Sequence, residues 1–392
     1  MLEYQGQYGN AKVMIDKVDS TTVQQIYEML NHEVFTNPIA VMPDCHAGAG
    51  AVIGFTMPLG DKVIPNIVGV DIGCGMLHLR FSKSTFAGIS MSELDEKIRS
   101  LIPFGTNAHR NGSFDAKSPW FWDLVNYNLR NFTMAYNRKM NTKNGLFNID
   151  YEWFCEYCDM IGMDSQRALQ SLGTLGGGNH FIELGKYENG DWGLTFHSGS
   201  RQFGLKVAKY WQDRAGKGVL AYLTGDDAFG YLWGMVVAQT YAHANRLIMF
   251  QLIINELKLN KPLETIESVH NFIDFDDWII RKGAIRSYVG EKMIIPWNME
   301  DGLTICEGKS NAEWNFSAPH GAGRLFSRAK AKKTLNLDEA RKNMKDKGIY
   351  SSNIPHDEIK SAYKDPSVIE EAIGPTAEIL HRVSPRLNLK DK

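Results

Sequence analysis

The chain has 392 residues, of which 43% are hydrophobic, 11% aromatic and 22% charged. This composition is typical of a globular protein with a sizeable core and excludes an intrinsically disordered chain. The 43 basic and 45 acidic residues give a formal net charge of -2, so any affinity for nucleic acid must come from a local basic patch.

The sequence contains no obvious export or membrane signal. The first residues lack the basic start, apolar run and cleavage site of a signal peptide. Residues 231–257 are the most apolar stretch, but polar side chains such as His243 and Arg246 interrupt it, which favours a buried helix over a membrane span. The five cysteines are too few and too scattered for a disulfide framework. We therefore expect a cytoplasmic protein without a membrane anchor.

The first part of the chain predicts strands followed by helices. Residues 40–80 are apolar and rich in glycine, which predicts short strands at 51–55 and 63–68 joined by tight turns. Residues 90–170 are polar and rich in Asn, Tyr and Trp. Their pattern predicts a peripheral helical segment.

The second part of the chain alternates between the same two kinds of structure. Strands and glycine loops are predicted at 171–204, a helix at 222–259, and short strands with turns at 269–320. Helical periodicity returns at 324–365. Because no fixed repeat or linker is visible, we expect residues 1–392 to form a single α+β domain.

Two short motifs resemble other kinds of site but lack residues that those sites require. Residues 307–310 resemble the end of a phosphate-binding P-loop, but Leu303 stands where that motif requires its first glycine. Cys155 and Cys158 form an isolated Cys-x-x-Cys pair flanked by aromatic residues. We interpret this pair as the packed face of a helix rather than half of a zinc site.

Four glycine-containing segments carry side chains suited to metal binding or nucleophilic attack. They lie at 42–48, 70–76, 173–201 and 317–324. Asp71 and Cys74 occupy a glycine turn after an apolar run, where a carboxylate and a thiolate can converge on one cation. His180 and His197 each lie where a predicted strand meets a loop. Alone, each residue would be interpreted as structural, but together they favour a metal site.

The segment around His320 indicates a different chemistry. An imidazole before Gly-Ala-Gly and Arg324 places a nucleophile beside a backbone anion-binding nest, which suits attack on phosphorus. Arg324 and Arg328 can each hold phosphate oxygens with two hydrogen bonds. Between residues 324 and 347, nine basic residues stand against three acidic ones, so a polyanion can bind there. The plainer alternatives are a loop histidine and a solvated helix face.

Together these segments resemble the RtcB family of RNA ligases. In the family's order, the chain carries Met-Pro-Asp-x-His, Val-Gly-Val-Asp-Ile-Gly-Cys-Gly-Met, Gly-x-Gly-Asn-His-Phe-x-Glu, His-x-Gly-Ser-Arg, a His-Asn-Tyr-like motif and His-Gly-Ala-Gly-Arg. The resemblance covers residues 43–390. It implies the family's α+β fold and an enzyme that joins an RNA 3′-phosphate or 2′,3′-cyclic phosphate to a 5′-hydroxyl, using GTP and two Mn²⁺ ions.

The resemblance also implies a role for each matching residue. The implied ligands are Asp71, Cys74 and His180 for one Mn²⁺, and Cys74, His197 and His270 for the other, with the thiolate of Cys74 shared. The residue implied to become guanylylated is His320. The residues implied to bind the nucleotide are Asn179, Glu183, Tyr363 and Lys390. The residues implied to hold phosphates or RNA are Arg201, Arg324 and Arg328.

Some alternatives remain open at the level of sequence. Residues 295–302 replace the family's usual Pro-Gly-Ser-Met-Gly turn, and the chain is shorter than typical members. The ligand types do not select Mn²⁺, because Zn²⁺ and Cu²⁺ bind such ligands more tightly. The alternative functions are an enzyme that only guanylylates 3′-phosphates, a metal-dependent phosphodiesterase and a non-catalytic RNA-binding module. The physiological RNA, in repair or in tRNA splicing, and the need for an activating protein are also open.

Overall fold

The computed structural model describes residues 1–112, 115 and 118–391. The α-helices in these residues are α1 Ser20–Leu30, α2 Pro65–Val68, α3 Met91–Leu101, α4 Pro119–Met140, α5 Tyr151–Met160, α6 Ser165–Gln170, α7 Arg201–Ala215, α8 Gly225–Leu257, α9 Arg328–Thr334, α10 Leu337–Asp346 and α11 Pro366–Ala372. The strands are β1 Leu2–Gln5, β2 Asn10–Val13, β3 Ile39–His46, β4 Ile53–Pro58, β5 Gly75–Phe81, β6 Phe181–Tyr187, β7 Trp192–Ser198, β8 Glu264–Val269, β9 Asn271–Asp274, β10 Ile279–Lys282, β11 Ala284–Arg286, β12 Lys292–Asn298, β13 Gly302–Gly308, β14 Ser317–Pro319 and β15 Ala377–Leu389. The α+β class predicted from the sequence is confirmed.

Two large sheets and one small sheet organise these strands. The six-stranded sheet has the order β1-β2-β3-β4-β10-β9, and the seven-stranded sheet has the order β12-β13-β15-β6-β7-β5-β8. Strands β11 and β14 form a separate antiparallel pair. In the larger sheet, β15 pairs antiparallel with both β13 and β6. No sequence pattern predicted this strand.

The largest core surrounds α8. This helix is apolar on most of its circumference, and side chains such as Tyr231 and Tyr241 are fully buried, which is typical of a helix inside a core. Phe132 of α4 packs into the same core, and α3 to α6 occupy the segment 90–170. The buried helix predicted at 222–259 is confirmed. In the part of the chain that the structure describes, no helix combines the length and the apolar character that a membrane span requires.

Two predictions of secondary structure need correction. Within the segment 63–68, residues 65–68 form the helix α2 instead of a strand, and Val63 makes an isolated β-bridge with Leu223. Pro65 begins this helix, where its fixed φ favours a helical turn and its missing N–H costs no hydrogen bond. The helical prediction for 324–365 holds for α9 and α10, but the remainder contains only the short 3₁₀ turn Lys360–Ala362.

The topology of the larger sheet brings chemistry-bearing residues to one edge. Cys74 immediately precedes β5, and His180 immediately precedes β6. His197 lies at the end of β7, and His270 follows the end of β8. Strand β5 is antiparallel to β7 and β8, and β6 is antiparallel to β7. The first residues of β5 and β6 therefore lie beside the last residues of β7 and β8, at the same end of the strands.

Candidate active site

Cys74, His180 and His197 form a buried cluster whose ligand atoms all lie within 4.8 Å of one another. The Sγ atom of Cys74 is 3.5 Å from Nε2 of His180 and 3.4 Å from Nε2 of His197. Asp71 Oδ2 lies 2.9 Å from His180 Nε2, and His270 Nε2 lies 3.3 Å from His197 Nε2. The structure thus brings all the implied metal ligands together.

The protonation of these groups fits a cation between them. His180 Nδ1 lies 2.9 Å from the carbonyl oxygen of Leu175. A carbonyl only accepts, so in the neutral ring Nδ1 carries the proton, and Nε2 presents a lone pair toward both Cys74 and the carboxylate of Asp71, where a cation would satisfy all three groups. Burial lowers the pKa of His197 and of His270 well below the ordinary value, which keeps both imidazoles in the neutral form that metals bind.

The thiol of Cys74 depends on a cation for its ionisation. Burial, and then the negative charge of Asp71, raise the pKa of Cys74 well above its ordinary value. A thiolate is the form that ligates metals, so this side chain becomes an anionic ligand when a cation is bound beside it. The mixed sulfur, nitrogen and oxygen donor set therefore fits divalent transition-metal ions.

Arg246 of α8 holds together two of the loops that carry the implied metal ligands. Its Nη1 donates to the carbonyl oxygens of Gly73, at 2.9 Å, and Ser198, at 2.8 Å. Its charge is balanced by Glu267, whose Oε1 lies 2.8 Å from Nη2. Arg246 is not among the site residues predicted from the sequence. The available signal was a charged residue within the most apolar stretch of the chain.

His320 is oriented by a buried carboxylate. Its Nδ1 donates to Oδ2 of Asp44 at 2.6 Å, and its backbone N–H donates to the same oxygen at 3.3 Å. Nε2 of the neutral ring therefore carries a lone pair. The ring centroids of His320 and His270 lie 4.9 Å apart, so the candidate nucleophile borders the implied metal ligands. Asp44 is not among the site residues predicted from the sequence, although it lies in the motif at 42–48.

A cavity of about 350 Å³ adjoins His197, His270 and His320. The implied nucleotide and phosphate residues that line it are Asn179, Glu183, Tyr363, Lys390, Arg324 and Arg328. Arg201 lies outside this lining and donates to Thr174 Oγ1 at 3.0 Å and to the carbonyl oxygen of Gly105 at 2.6 Å. A larger cleft of about 1070 Å³ lies between α4 and α8, but none of the implied site residues lines it. The smaller cavity is therefore the candidate active site.

Glu183 occupies the cavity with one free oxygen. Its Oε2 accepts from Nδ2 of Asn388 at 2.7 Å, and its Oε1 has no partner among the described residues. Burial raises the pKa of Glu183 to about 8, although the hydrogen bond from Asn388 and the charge of Lys390 act in the opposite direction. The side chain can therefore exchange a proton near neutral pH.

Glu358 is a buried carboxylate at the centre of the cationic side of the cavity. Its Oε1 accepts from Arg324 Nη1 at 3.1 Å and Arg328 Nη1 at 2.5 Å. Its Oε2 accepts from Tyr363 Oη at 2.6 Å and Lys390 Nζ at 3.0 Å. Burial alone would raise the pKa of Glu358, but Lys390 and Arg328 outweigh it and lower the pKa to about 2. The ionised carboxylate fixes these four side chains, and no motif in the sequence pointed to it.

The two arginines of the cavity differ in how much of each guanidinium is free. Arg324 also donates from Nε to the carbonyl oxygen of Phe326 at 3.1 Å and from Nη2 to that of Asp357 at 2.7 Å. Arg328 is 42% exposed and contacts acceptors only through Nη1 in the described part of the chain. Arg328 is therefore the arginine with donors available to a bound phosphate.

The turn that departs from the family pattern lies at the edge of the cavity. Asn298 Oδ1 closes this turn by accepting from the backbone N–H groups of Glu300 and Asp301, at 2.9 and 3.0 Å. Trp297 lines the cavity, and its indole N–H has no acceptor among the described residues. The altered turn thus contributes a large side chain to the cavity.

The Cys-x-x-Cys pair and the residues that resemble a P-loop lie outside the lining of this cavity. Cys158 is buried in the core on α5, and all five cysteines are free thiols, so the prediction of helix packing is confirmed for Cys158. Gly308 ends β13, and Lys309 donates to the carbonyl oxygen of Gly374 at 2.7 Å. Helices α9 and α10 carry exposed basic residues such as Lys333 and Lys345.

Comparison with known proteins places this geometry in a family. The family model described as tRNA-splicing ligase RtcB matches residues 25–391. The chain is 30% identical to the RNA-splicing ligase RtcB of Escherichia coli strain K12, with 93% of this chain and 92% of that protein covered. It is 26% identical to the tRNA-splicing ligase RtcB of Nanoarchaeum equitans, with 92% of this chain and 87% of that protein covered.

Proposed function

Since this chain belongs to the family described as tRNA-splicing ligase RtcB, we propose that it is an RNA ligase that uses GTP and two Mn²⁺ ions. It joins RNA ends that bear a 3′-phosphate or 2′,3′-cyclic phosphate to ends that bear a 5′-hydroxyl, in cytoplasmic RNA repair or tRNA splicing. One observation carries this proposal. His320 lies against His270, with ring centroids 4.9 Å apart, so a nucleophile and a set of metal ligands share one cavity.

The first step is attack by His320 on GTP. Its Nε2 forms a bond to the α-phosphorus, and the bond to the β-phosphate breaks, so pyrophosphate leaves. Asp44 supports this step in two ways. It accepts a hydrogen bond from Nδ1–H, which keeps the proton on Nδ1 and leaves Nε2 unprotonated, and its buried negative charge stabilises the positive charge that develops on the ring.

The metal ligands fit the two ions that the family resemblance implies. Asp71, Cys74 and His180 would hold one ion, and Cys74, His197 and His270 the other. When bound, such ions supply positive charge to phosphate oxygens and an activated water for opening a cyclic phosphate. The choice of Mn²⁺ comes from the resemblance, because intrinsic affinity favours Zn²⁺ or Cu²⁺ for these donors.

The later steps transfer the activated guanylate to RNA. An oxygen of the RNA 3′-phosphate attacks the phosphorus on His320, and the P–N bond breaks, which regenerates the imidazole. The 5′-hydroxyl then attacks the 3′-phosphorus and displaces GMP. Arg328 has free donors for the terminal phosphate, and Arg201 and Arg324 complete the set proposed to hold phosphates or RNA. The exposed basic residues of α9 and α10 add affinity for the RNA backbone that falls with salt.

Covalent labelling tests the first step. The protein is incubated with α-labelled GTP and Mn²⁺ and then separated by denaturing electrophoresis. We expect an acid-labile labelled band, because a phosphoramidate links the guanylate to His320. His320→Ala removes the nucleophile and should abolish the band. His381→Ala, which changes a histidine outside the cavity lining, is the matched control and should retain it. A labelled His320→Ala protein would refute the assignment of the nucleophile.

Joining assays with defined RNA ends test the whole reaction. Two short RNAs are offered with each of the four combinations of 3′-phosphate or 3′-hydroxyl and 5′-hydroxyl or 5′-phosphate. We expect sealing only of a 3′-phosphate to a 5′-hydroxyl. Sealing of a 3′-hydroxyl to a 5′-phosphate would contradict the proposal. A guanylylated 3′-phosphate without sealing would indicate a capping enzyme or the need for an activating protein, and opening of cyclic phosphates without a protein adduct would indicate a phosphodiesterase.

A further inference from the structure

Asn388 and Glu183 are direct neighbours across two strands of the larger sheet. They are partners in the register of β15 and β6, so their side chains lie on the same face. Both line the cavity, and both are almost completely buried, at 2% and 3% exposure. Lys390 shares the parity of Asn388 and lines the same cavity. The end of β15 therefore presents two polar side chains to the nucleotide pocket.

The hydrogen bond between these side chains fixes the orientation of the amide. Nδ2 of Asn388 lies 2.7 Å from Oε2 of Glu183. When Glu183 is ionised, as the guanine donors require, its oxygens only accept, so the NH₂ group of Asn388 faces Glu183 and Oδ1 points elsewhere. Oδ1 of Asn388 and Oε1 of Glu183 have no partner among the described residues, although each atom is buried.

Two buried acceptors without donors are costly unless a ligand satisfies them. From this pair we infer that Asn388 is a second reader of the guanine base, beside Glu183, and this inference rests on the proposed use of GTP. Guanine presents its N1–H and its 2-amino group as adjacent donors. Glu183 Oε1 accepts from N1–H, and Asn388 Oδ1 accepts from the 2-amino group. Adenine has an acceptor at N1 and only C–H at position 2, so it satisfies neither oxygen.

Hypoxanthine isolates the contribution of Asn388. This base has the N1–H of guanine but lacks the 2-amino group, so it satisfies Glu183 and leaves Asn388 Oδ1 unpaired. For the wild-type protein, we expect the rate constant for adduct formation at low nucleotide concentration to be about tenfold higher with GTP than with inosine triphosphate. In Asn388→Leu, which removes the acceptor, the ratio should fall to within about twofold of unity.

Trp297→Phe is the matched control for this measurement. It removes a different unpartnered group of the same cavity, the indole N–H, while keeping an aromatic ring. A donor can contact only the acceptors of the base, O6, N7 or N3, and guanine and hypoxanthine share all three atoms. The ratio between GTP and inosine triphosphate should therefore stay at the wild-type value.

The outcomes separate this inference from the proposed function. If the wild-type protein uses both nucleotides equally well, or if Asn388→Leu keeps the tenfold ratio, Asn388 does not read the base. The wild-type comparison can refute the inference even if the variant fails to fold, which thermal unfolding reports. If the wild-type protein forms no adduct with either nucleotide, the proposed function fails. Calorimetric binding of GMP and IMP then tests the base reader on its own, and equal affinities would overturn it.

Discussion

The contact between Asp44 and His320 gives a graded prediction for the first chemical step. The Nδ1···Oδ2 distance is 2.6 Å and Asp44 is fully buried, so this is a charge-assisted hydrogen bond shielded from water. Such bonds contribute about 1.5 to 3 kcal/mol. At about 1.4 kcal/mol for each factor of ten, loss of the bond in Asp44→Ala should slow guanylylation by about 10- to 150-fold. Asp44→Asn keeps an acceptor but removes the charge, so its loss should be smaller.

Single-turnover labelling with α-labelled GTP measures this effect. With nucleotide in excess and at saturating concentration, the rate constant for label incorporation reports the chemical step. Thermal unfolding checks that each variant is folded. The expected order of rates is wild type, then Asp44→Asn, then Asp44→Ala. If Asp44→Ala forms the adduct within twofold of the wild-type rate, the carboxylate does not support the nucleophile, and the orientation of His320 must come from its backbone.

Three further perturbations test other parts of the structure. Cys74→Ser should lower bound manganese, measured by elemental analysis, more than His270→Ala does, because the thiolate contacts both proposed ion sites; equal losses would argue against a shared ligand. Burial raises the pKa of Glu183 to about 8, and the N–H donors of guanine require the ionised carboxylate. Calorimetric affinity for GMP should therefore rise as the pH rises through 8, and Glu183→Gln should flatten this dependence. Phe154→Ala opens a cavity in the core around α5 and should lower the free energy of unfolding by about 3 to 5 kcal/mol in denaturant titrations, whereas a loss under 1 kcal/mol would mean that this core repacks.

The site residues that could be predicted from the sequence are those that stand in short, recognisable motifs. Cys74, His180, His197 and His320 each stand beside glycines in short motifs, and the resemblance assigned a role to each of them. Their convergence, however, depends on the order of strands in the sheet. The sequence predicted some of these strands but contained no local signal for their order.

The residues that the sequence missed act through partners far along the chain. Asp44 and His320 are 276 positions apart, and Glu183 and Asn388 are 205 positions apart. Glu358 resembles any acid of a charged segment until its four partners are known. The error at 63–68 has a local cause, because an apolar run indicates a strand or a buried helix equally well, and Pro65 decides for the helix.

The position of β15 has a consequence for synthesis on the ribosome. This strand separates β13 from β6, yet it follows both of them in the chain by many residues. While translation proceeds toward Ala377, the strands already made therefore leave two open edges with unpaired backbone groups. Open edges of this kind invite pairing with other chains. We expect a nascent chain stalled before Ala377 to be inactive and prone to aggregation. The larger sheet and the cavity lined by Glu183 and Asn388 should then form together, in a single late step.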